Sequence, residues 1–400
     1  MAKNSKWNFD EIVDRTKTNA VKWDQKFMEK YFGIGDLLPL WVADMDFRAP
    51  KELTDVLKER VEHGIFGYTF PNESYFNSII HWFERRHNWK IEKDWILYSP
   101  GIVPAVKFLI QTFTKPGDGV IIQEPVYYPF KSSIEDNGRK MINNELLLED
   151  YSYKIDFKDL EEKCQTPRAK MLILCSPHNP VSRVWSKEEL TKLGRICIDN
   201  DILVISDEIH CDLIFPGYKH TVFADISEEF AQKSITCVAP SKTFNIAGLK
   251  TSSIIIPNKT LRNDFATTMN NVSIGAPGIF GGLATETVYN KCEEWLEDML
   301  VYVKENYDYM VKYFKENLPL LKVFELEGTY LAWIDFRPLK LDSKKLDRIM
   351  KDNAKVGLDD GAMFGKSGEG FQRINLACPR TILMDALVRI NNTFQSHIKK

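Results

Sequence analysis

The chain has 400 residues, of which 44% are hydrophobic and 12% aromatic, and its 53 basic and 56 acidic side chains leave a formal charge of −3. That balance excludes the basic footprint of a nucleic-acid binder, and 21 Gly with 18 Pro is too small a bias for a disordered or fibrous chain. The length predicts about two to three globular domains.

Met1 to Asp10 (MAKNSKWNFD) lacks the apolar core of a signal peptide, and no later stretch approaches the ~18 apolar residues of a membrane span, so a soluble, cytoplasmic chain is expected. The seven cysteines are odd in number and no two stand closer than eleven residues, which argues against a disulfide framework or a zinc site and for small buried hydrophobes. The seven histidines form no H-E-x-x-H, and no structural metal is expected.

From about Ala49 to Val272, helical patterns alternate with short apolar runs, as in an α/β domain with a mostly parallel sheet. Pro50 to His63 reads as a helix that stops at Gly64, and Val103 to Thr114 as a second. A turn at Lys115 to Asp118 leads into a strand at Gly119 to Gln123. Lys170 to Cys175 and Asp201 to Ser206 read as buried strands bracketing a helix opened by a capping box, Ser186 to Glu189. Ser234 to Val238 and Thr251 to Ile256 complete the strand set. From Pro277 the pattern turns to long helices, Leu283 to about Leu318 with a break near Trp295. A strand pair follows at Lys322 to Leu326 and Tyr330 to Phe336, then a helix at Ser343 to Asn353, a strand at Phe371 to Leu376 and a helix from Pro379 to about His397. No repeat, low-complexity tract or coil linker separates this α+β part from the rest.

Ligands of open α/β sheets bind beyond the carboxyl ends of the strands. There the sequence delivers Asn179 in Ser176-Pro177-His178-Asn179-Pro180, Asp207 in Asp207-Glu208-Ile209-His210, and Lys242 in Ala239-Pro240-Ser241-Lys242-Thr243-Phe244. Taken singly, an amine and a carboxylate in a crevice could be an ion pair joining two loops. Together they suit carbonyl chemistry, in which a lysine that condenses with an aldehyde must spend part of its cycle unprotonated. The aldehyde most often used is pyridoxal 5'-phosphate, whose ring nitrogen needs an acidic partner. Asp207 would face that nitrogen, Lys242 the aldehyde carbon and Asn179 the phenolic oxygen.

The spacing of these blocks resembles that of the fold-type I pyridoxal-phosphate enzymes, the aspartate aminotransferase superfamily. The wording of Trp41 to Phe47, Ser99 to Pro104, Ser176 to Trp185, Ser206 to Leu213 and Ala239 to Ile246 resembles the MalY/PatB-type cystathionine β-lyases within it. The resemblance implies an α/β fold: a large cofactor domain, residues 49–285, with a mostly parallel seven-stranded sheet, and a smaller α+β domain from residues 1–48 and 286–400. It implies that Tyr127 rather than Tyr128 stacks on the cofactor ring. The phosphate would be held by backbone N–H groups of Ile102 and Val103 at a helix start and by Ser241. Tyr68 would reach the cofactor phosphate of a second subunit, which implies a homodimer. Arg373 falls where the superfamily clamps the substrate carboxylate, a task that suits a planar guanidinium. Lys366-Ser367 is not part of a P-loop, because Asp360 stands where the first glycine would be, and Gly365 to Gly370 read as a flexible loop near the substrate.

His210 and Lys250 depart from the general aminotransferase pattern, which carries a tyrosine and a phosphate-binding arginine at these places, and the histidine favours the lyase branch. The activity implied is α,β-elimination of cystathionine, cysteine or related S-substituted cysteines to thiol, pyruvate and ammonia, with Lys242 as general base. The alternatives are a class I/II aminotransferase, which would use the same residues, and a lyase that also binds a regulatory protein.

Overall fold

The computed structural model describes residues 6–398; Met1 to Ser5, half of the stretch read above for a signal peptide, and Lys399 and Lys400 of the expected small domain lie outside the described residues. Seven strands build the large sheet: β1 (Ile96–Ser99), β2 (Gly119–Ile122), β3 (Lys140–Asn143), β4 (Ala169–Cys175), β5 (Leu203–Asp207), β6 (Ser234–Val238) and β7 (Ser252–Ile255). Their spatial order is β1-β7-β6-β5-β4-β2-β3, parallel throughout except for β7, which runs antiparallel to both of its neighbours.

The apolar runs are continuous because both faces of the sheet are covered. Along β4, Met171, Ile173 and Cys175 pack into the cluster that holds Val106, Leu109 and Ile110 of α3 (Ile102–Phe113). The intervening Leu172 and Leu174 pack on the opposite face with Leu190, Leu193 and Cys197 of α4 (Lys187–Asp199), the two-residue alternation of a strand. The predicted capping box opens α4: Ser186 accepts from the Glu189 N–H, and the Glu189 carboxylate accepts from the Ser186 N–H at 2.8 Å. All seven cysteines are buried and free, as the spacing led us to expect.

Helices α1 (Lys51–Glu62) and α2 (Glu73–His87) precede the sheet, and the helix Lys259–Asn271 follows it, then the pair Ile279–Lys291 and Glu293–Asn317, whose break falls at Cys292, three residues before Trp295. A second sheet has the order β8-β9-β11-β10, from β8 (Lys322–Val323), β9 (Leu331–Asp335), β10 (Asp359–Asp360) and β11 (Phe371–Asn375). It shares a large apolar cluster with the N-terminal segment, through Leu40, Met45 and Phe47, and with the last helix, through Leu383, Leu387 and Ile390.

The glycine-rich stretch after β10 is not the flexible loop expected from its composition. It folds as two 3-10 turns, Gly361–Phe364 and Lys366–Gly368, in which the backbones of Gly361 and Gly368 meet. A Cβ on Gly361 would lie 2.0 Å from the Gly368 carbonyl oxygen, and one on Gly368 2.1 Å from that of Gly361. At these two positions glycine is there for close packing, whereas Gly365 and Gly370 adopt positive φ. Among the described residues no helix is long and apolar enough to cross a membrane.

Candidate active site

Strand register assembles the centre of the site. Asp207, at the carboxyl end of β5, lies level with Cys175 on β4 and Cys237 on β6, so the segments leaving three neighbouring strands converge on one place. They enclose a cavity of about 450 Å³ whose walls include Asn179, Asp207, His210, Ser241 and Lys242, with Tyr127 among them. Ile102, Val103 and Lys250 line the same cavity. A larger, open cleft of about 1000 Å³ runs past Arg15, Asp44 and Asp46 and reaches neither Lys242 nor Asp207.

Lys242 sits in the four-residue helix Pro240–Thr243, and its Nζ donates to the Ala43 carbonyl at 2.6 Å. Burial pulls its pKa from the ordinary lysine range to about 8; Asp44 and Asp207 oppose that shift and Arg373 adds to it. A minor fraction of the amine is therefore unprotonated at neutral pH, far more than for an ordinary lysine. Burial acts in the opposite sense on Asp207, raising its carboxyl to about 7 against the opposing Ile209 N–H, which donates to Oδ1 at 3.1 Å. His210 is 3% exposed and its Nδ1 has no partner; burial, with Lys242 and Arg373 nearby, holds the ring neutral. The Tyr127 hydroxyl is pushed up by burial and stays protonated.

Ile102 and Val103 open α3, whose N-cap Gly101 offers no side-chain cap. The first N–H groups of that helix are thus left for an anion, with Ser241 and the exposed Lys250 on the same wall. A buried carboxylate for a ring nitrogen, an amine of lowered pKa and an uncapped helix start with a cation beside it form a donor set that fits pyridoxal 5'-phosphate. The cavity volume suits a ligand of that size.

Arg373 lies on β11, 3% exposed, behind the cavity wall. Its Nη1 donates to Asn179 Oδ1 at 2.8 Å, its Nη2 to the Trp41 carbonyl at 3.1 Å and to the Asp359 carboxylate, while its Nε is buried without a partner. Tyr68 is not brought to the cavity: it is fully exposed, on a segment where Ile65, Phe66 and Phe70 are exposed as well.

The residue-by-residue reading missed the inner wall. Within Trp41 to Asp46, Ala43 lines the cavity, and its carbonyl accepts from both Lys242 and the Tyr330 hydroxyl, the latter at 2.8 Å. Asn375 Nδ2 donates to the Val42 and Asp44 carbonyls at 2.6 and 2.7 Å, and behind the wall the buried Lys22 pairs with Asp46 at 2.7 Å. The one signal was the block Trp41 to Phe47, which the resemblance used without giving its residues a task. Asp359 was missed for want of any local motif; only strand pairing puts it opposite Arg373.

Residues 36–390 match the family of class I and II aminotransferases. The cystathionine beta-lyase PatB of Bacillus subtilis (strain 168) is 44% identical over 383 residues, which cover 96% of this chain and 98% of that protein. Protein MalY of Escherichia coli (strain K12) is 30% identical, with 98% and 99% of the two chains covered. Among solved structures, cystalysin from Treponema denticola, which contains a pyridoxal 5'-phosphate cofactor, superposes with a TM-score of 0.94 at 43% identity over 98% of this chain and 99% of its own.

Proposed function

The chain belongs to the class I and II aminotransferase family, and from that premise we propose that it is a pyridoxal 5'-phosphate-dependent carbon–sulfur β-lyase. It converts cystathionine or a related S-substituted cysteine to thiol, pyruvate and ammonia. The observation that carries the reading is the convergence of Lys242, Asp207 and Asn179 on one cavity, in a chain 44% identical to a cystathionine β-lyase along almost its whole length.

When bound, the cofactor draws off the electron pair released at the substrate's α-carbon, which no side chain can do. The protein supplies the rest. Lys242, with a pKa of about 8, takes the α-proton, and the Ala43 carbonyl fixes the direction of its amine. The Cβ–S bond then breaks with its electron pair going to sulfur and the thiolate leaves, and the remaining three-carbon unit takes up one water to give pyruvate and ammonia. Asp207 offers a negative charge to the ring nitrogen, Asn179 an amide to the phenolic oxygen, and Tyr127 a face for the ring. The N–H groups of Ile102 and Val103, the Ser241 hydroxyl and Lys250 hold the phosphate. Arg373 receives the substrate carboxylate, and His210, kept neutral, adds no charge beside the amine.

The enzyme works as a homodimer, in which Tyr68 reaches the partner's cofactor phosphate. The support is its placement: an exposed tyrosine flanked by exposed Phe66 and Phe70, outside its own cavity, reads as a surface awaiting a second copy.

L-Cystathionine, given to the holoenzyme with no 2-oxo acid present, is expected to yield pyruvate and free thiol in equal amounts over many turnovers. Transfer of the amino group to the cofactor with no pyruvate would replace this reading with that of an aminotransferase.

A further inference from the structure

Arg373 already has a carboxylate. Asp359 on β10 stands directly across from it in the antiparallel pairing with β11, is 3% exposed, and accepts from Nη2. A guanidinium offers two paired forks to an incoming carboxylate, Nε with Nη2 and Nη1 with Nη2, and both need a hydrogen on Nη2. Nη2 has two hydrogens, held here by Asp359 and by the Trp41 carbonyl. Nε, the other half of the side-on fork, is buried and unpartnered.

We propose that Asp359 is a resident carboxylate that the substrate's carboxylate displaces from Arg373 Nη2, taking up one proton from solution as it gives way. This deepens the reading above and rests on Arg373 being the carboxylate site. Strand pairing keeps Asp359 in place, so once displaced it stays buried beside the incoming anion. Two carboxylates sharing one guanidinium do not both remain ionised in such a place. The groups that face Asp359 are Arg373 on β11, Lys22 from the N-terminal segment, Tyr31 from the helix Gln25–Phe32 and Tyr128 from the loop after β2. Only two of these are cations; Arg373 is the one being contested, and Lys22 is engaged by Asp46. Burial already raises the Asp359 carboxyl above the ordinary range, against the pull of Arg373 and Lys22. The sign follows: substrate binding needs the protonated form, so affinity is flat below the free-state pKa of Asp359 and falls roughly tenfold per pH unit above it.

The test uses the holoenzyme and 3-(methylthio)propionate, an S-substituted cysteine without its amino group, so that no proton of an amine enters the count. Calorimetric titration at about pH 7.5 in PIPES and in Tris, buffers of different ionisation enthalpy, counts protons on binding. Wild type is expected to take up close to one proton. Asp359→Asn should take up none, bind the analogue roughly tenfold tighter in alkaline buffer, and lower KM for the amino-acid substrate. A merely structural role would weaken binding in the variant and leave the proton count unchanged. Binding to wild type without proton uptake overturns the proposal, whether or not Asp359→Asn folds. Arg373→Lys separates the two levels: if it loses the analogue while wild type takes up no proton, the carboxylate site stands and the displacement fails. If it binds as wild type does, both fall.

Discussion

Without its ligand, Asp207 is a buried carboxylate with one backbone donor, and its pKa of about 7 records the cost of that position. The group is raised in the folded state, so its contribution to stability is fully present below about pH 4 and is lost as pH rises to about 7. The cofactor-free protein should lose on the order of 4 kcal/mol from this residue across that window. Lys242, lowered to about 8, acts in a separate window, since its penalty is present below that pH and disappears towards the unfolded lysine value. Urea unfolding of the cofactor-free wild type between pH 4 and 7 should show the decline, and Asp207→Asn should flatten it. An equally steep decline in the variant would remove Asp207 as its source. At this scale Lys242, Asp207 and Asn179 were legible because each closes or follows an apolar run whose end must face the crevice. Asp359 and Tyr330 were not, because their neighbours come from strand pairing and from a wall some 290 residues away in sequence.

Elements were legible where local chemistry agrees with burial. The capping box at Ser186 and Glu189 opens α4 as read, and Ser234–Val238 is a strand to the residue. The break expected near Trp295 falls at Cys292, where Trp295 belongs to the second helix and is buried by it. β1 and β3 were missed. β1 is four residues long, opens from a 3-10 turn at Lys93–Trp95 and carries two half-buried positions, while β3 is an edge strand with an exposed lysine and no fully buried residue. Both draw their stability from a neighbour strand, which a short window of sequence does not display. Gly368 misled because composition reports freedom and not the contact with Gly361 that forbids a side chain.

Over the whole molecule, two sheets and the Trp41 to Asp46 wall bring together groups from residue 43 to residue 373, so the site exists only in the finished fold. Under the dimer proposed above, each site would also need the other subunit. Tyr68→Ala and Lys242→Ala would each be impaired alone, while an equimolar mixture, unfolded and refolded together, should regain roughly a quarter of wild-type activity through hybrids with one intact site. No gain on mixing would place Tyr68 outside the partner's site. The chemistry itself can be read at a single side chain. Borohydride reduction of the holoenzyme, followed by peptide mass mapping, fixes the cofactor to the lysine it is joined to. The pyridoxyl phosphate mass should appear on the peptide carrying Lys242 and on no other, and a label on Lys250, on Lys22 or on no lysine at all would contradict the assignment of this cavity.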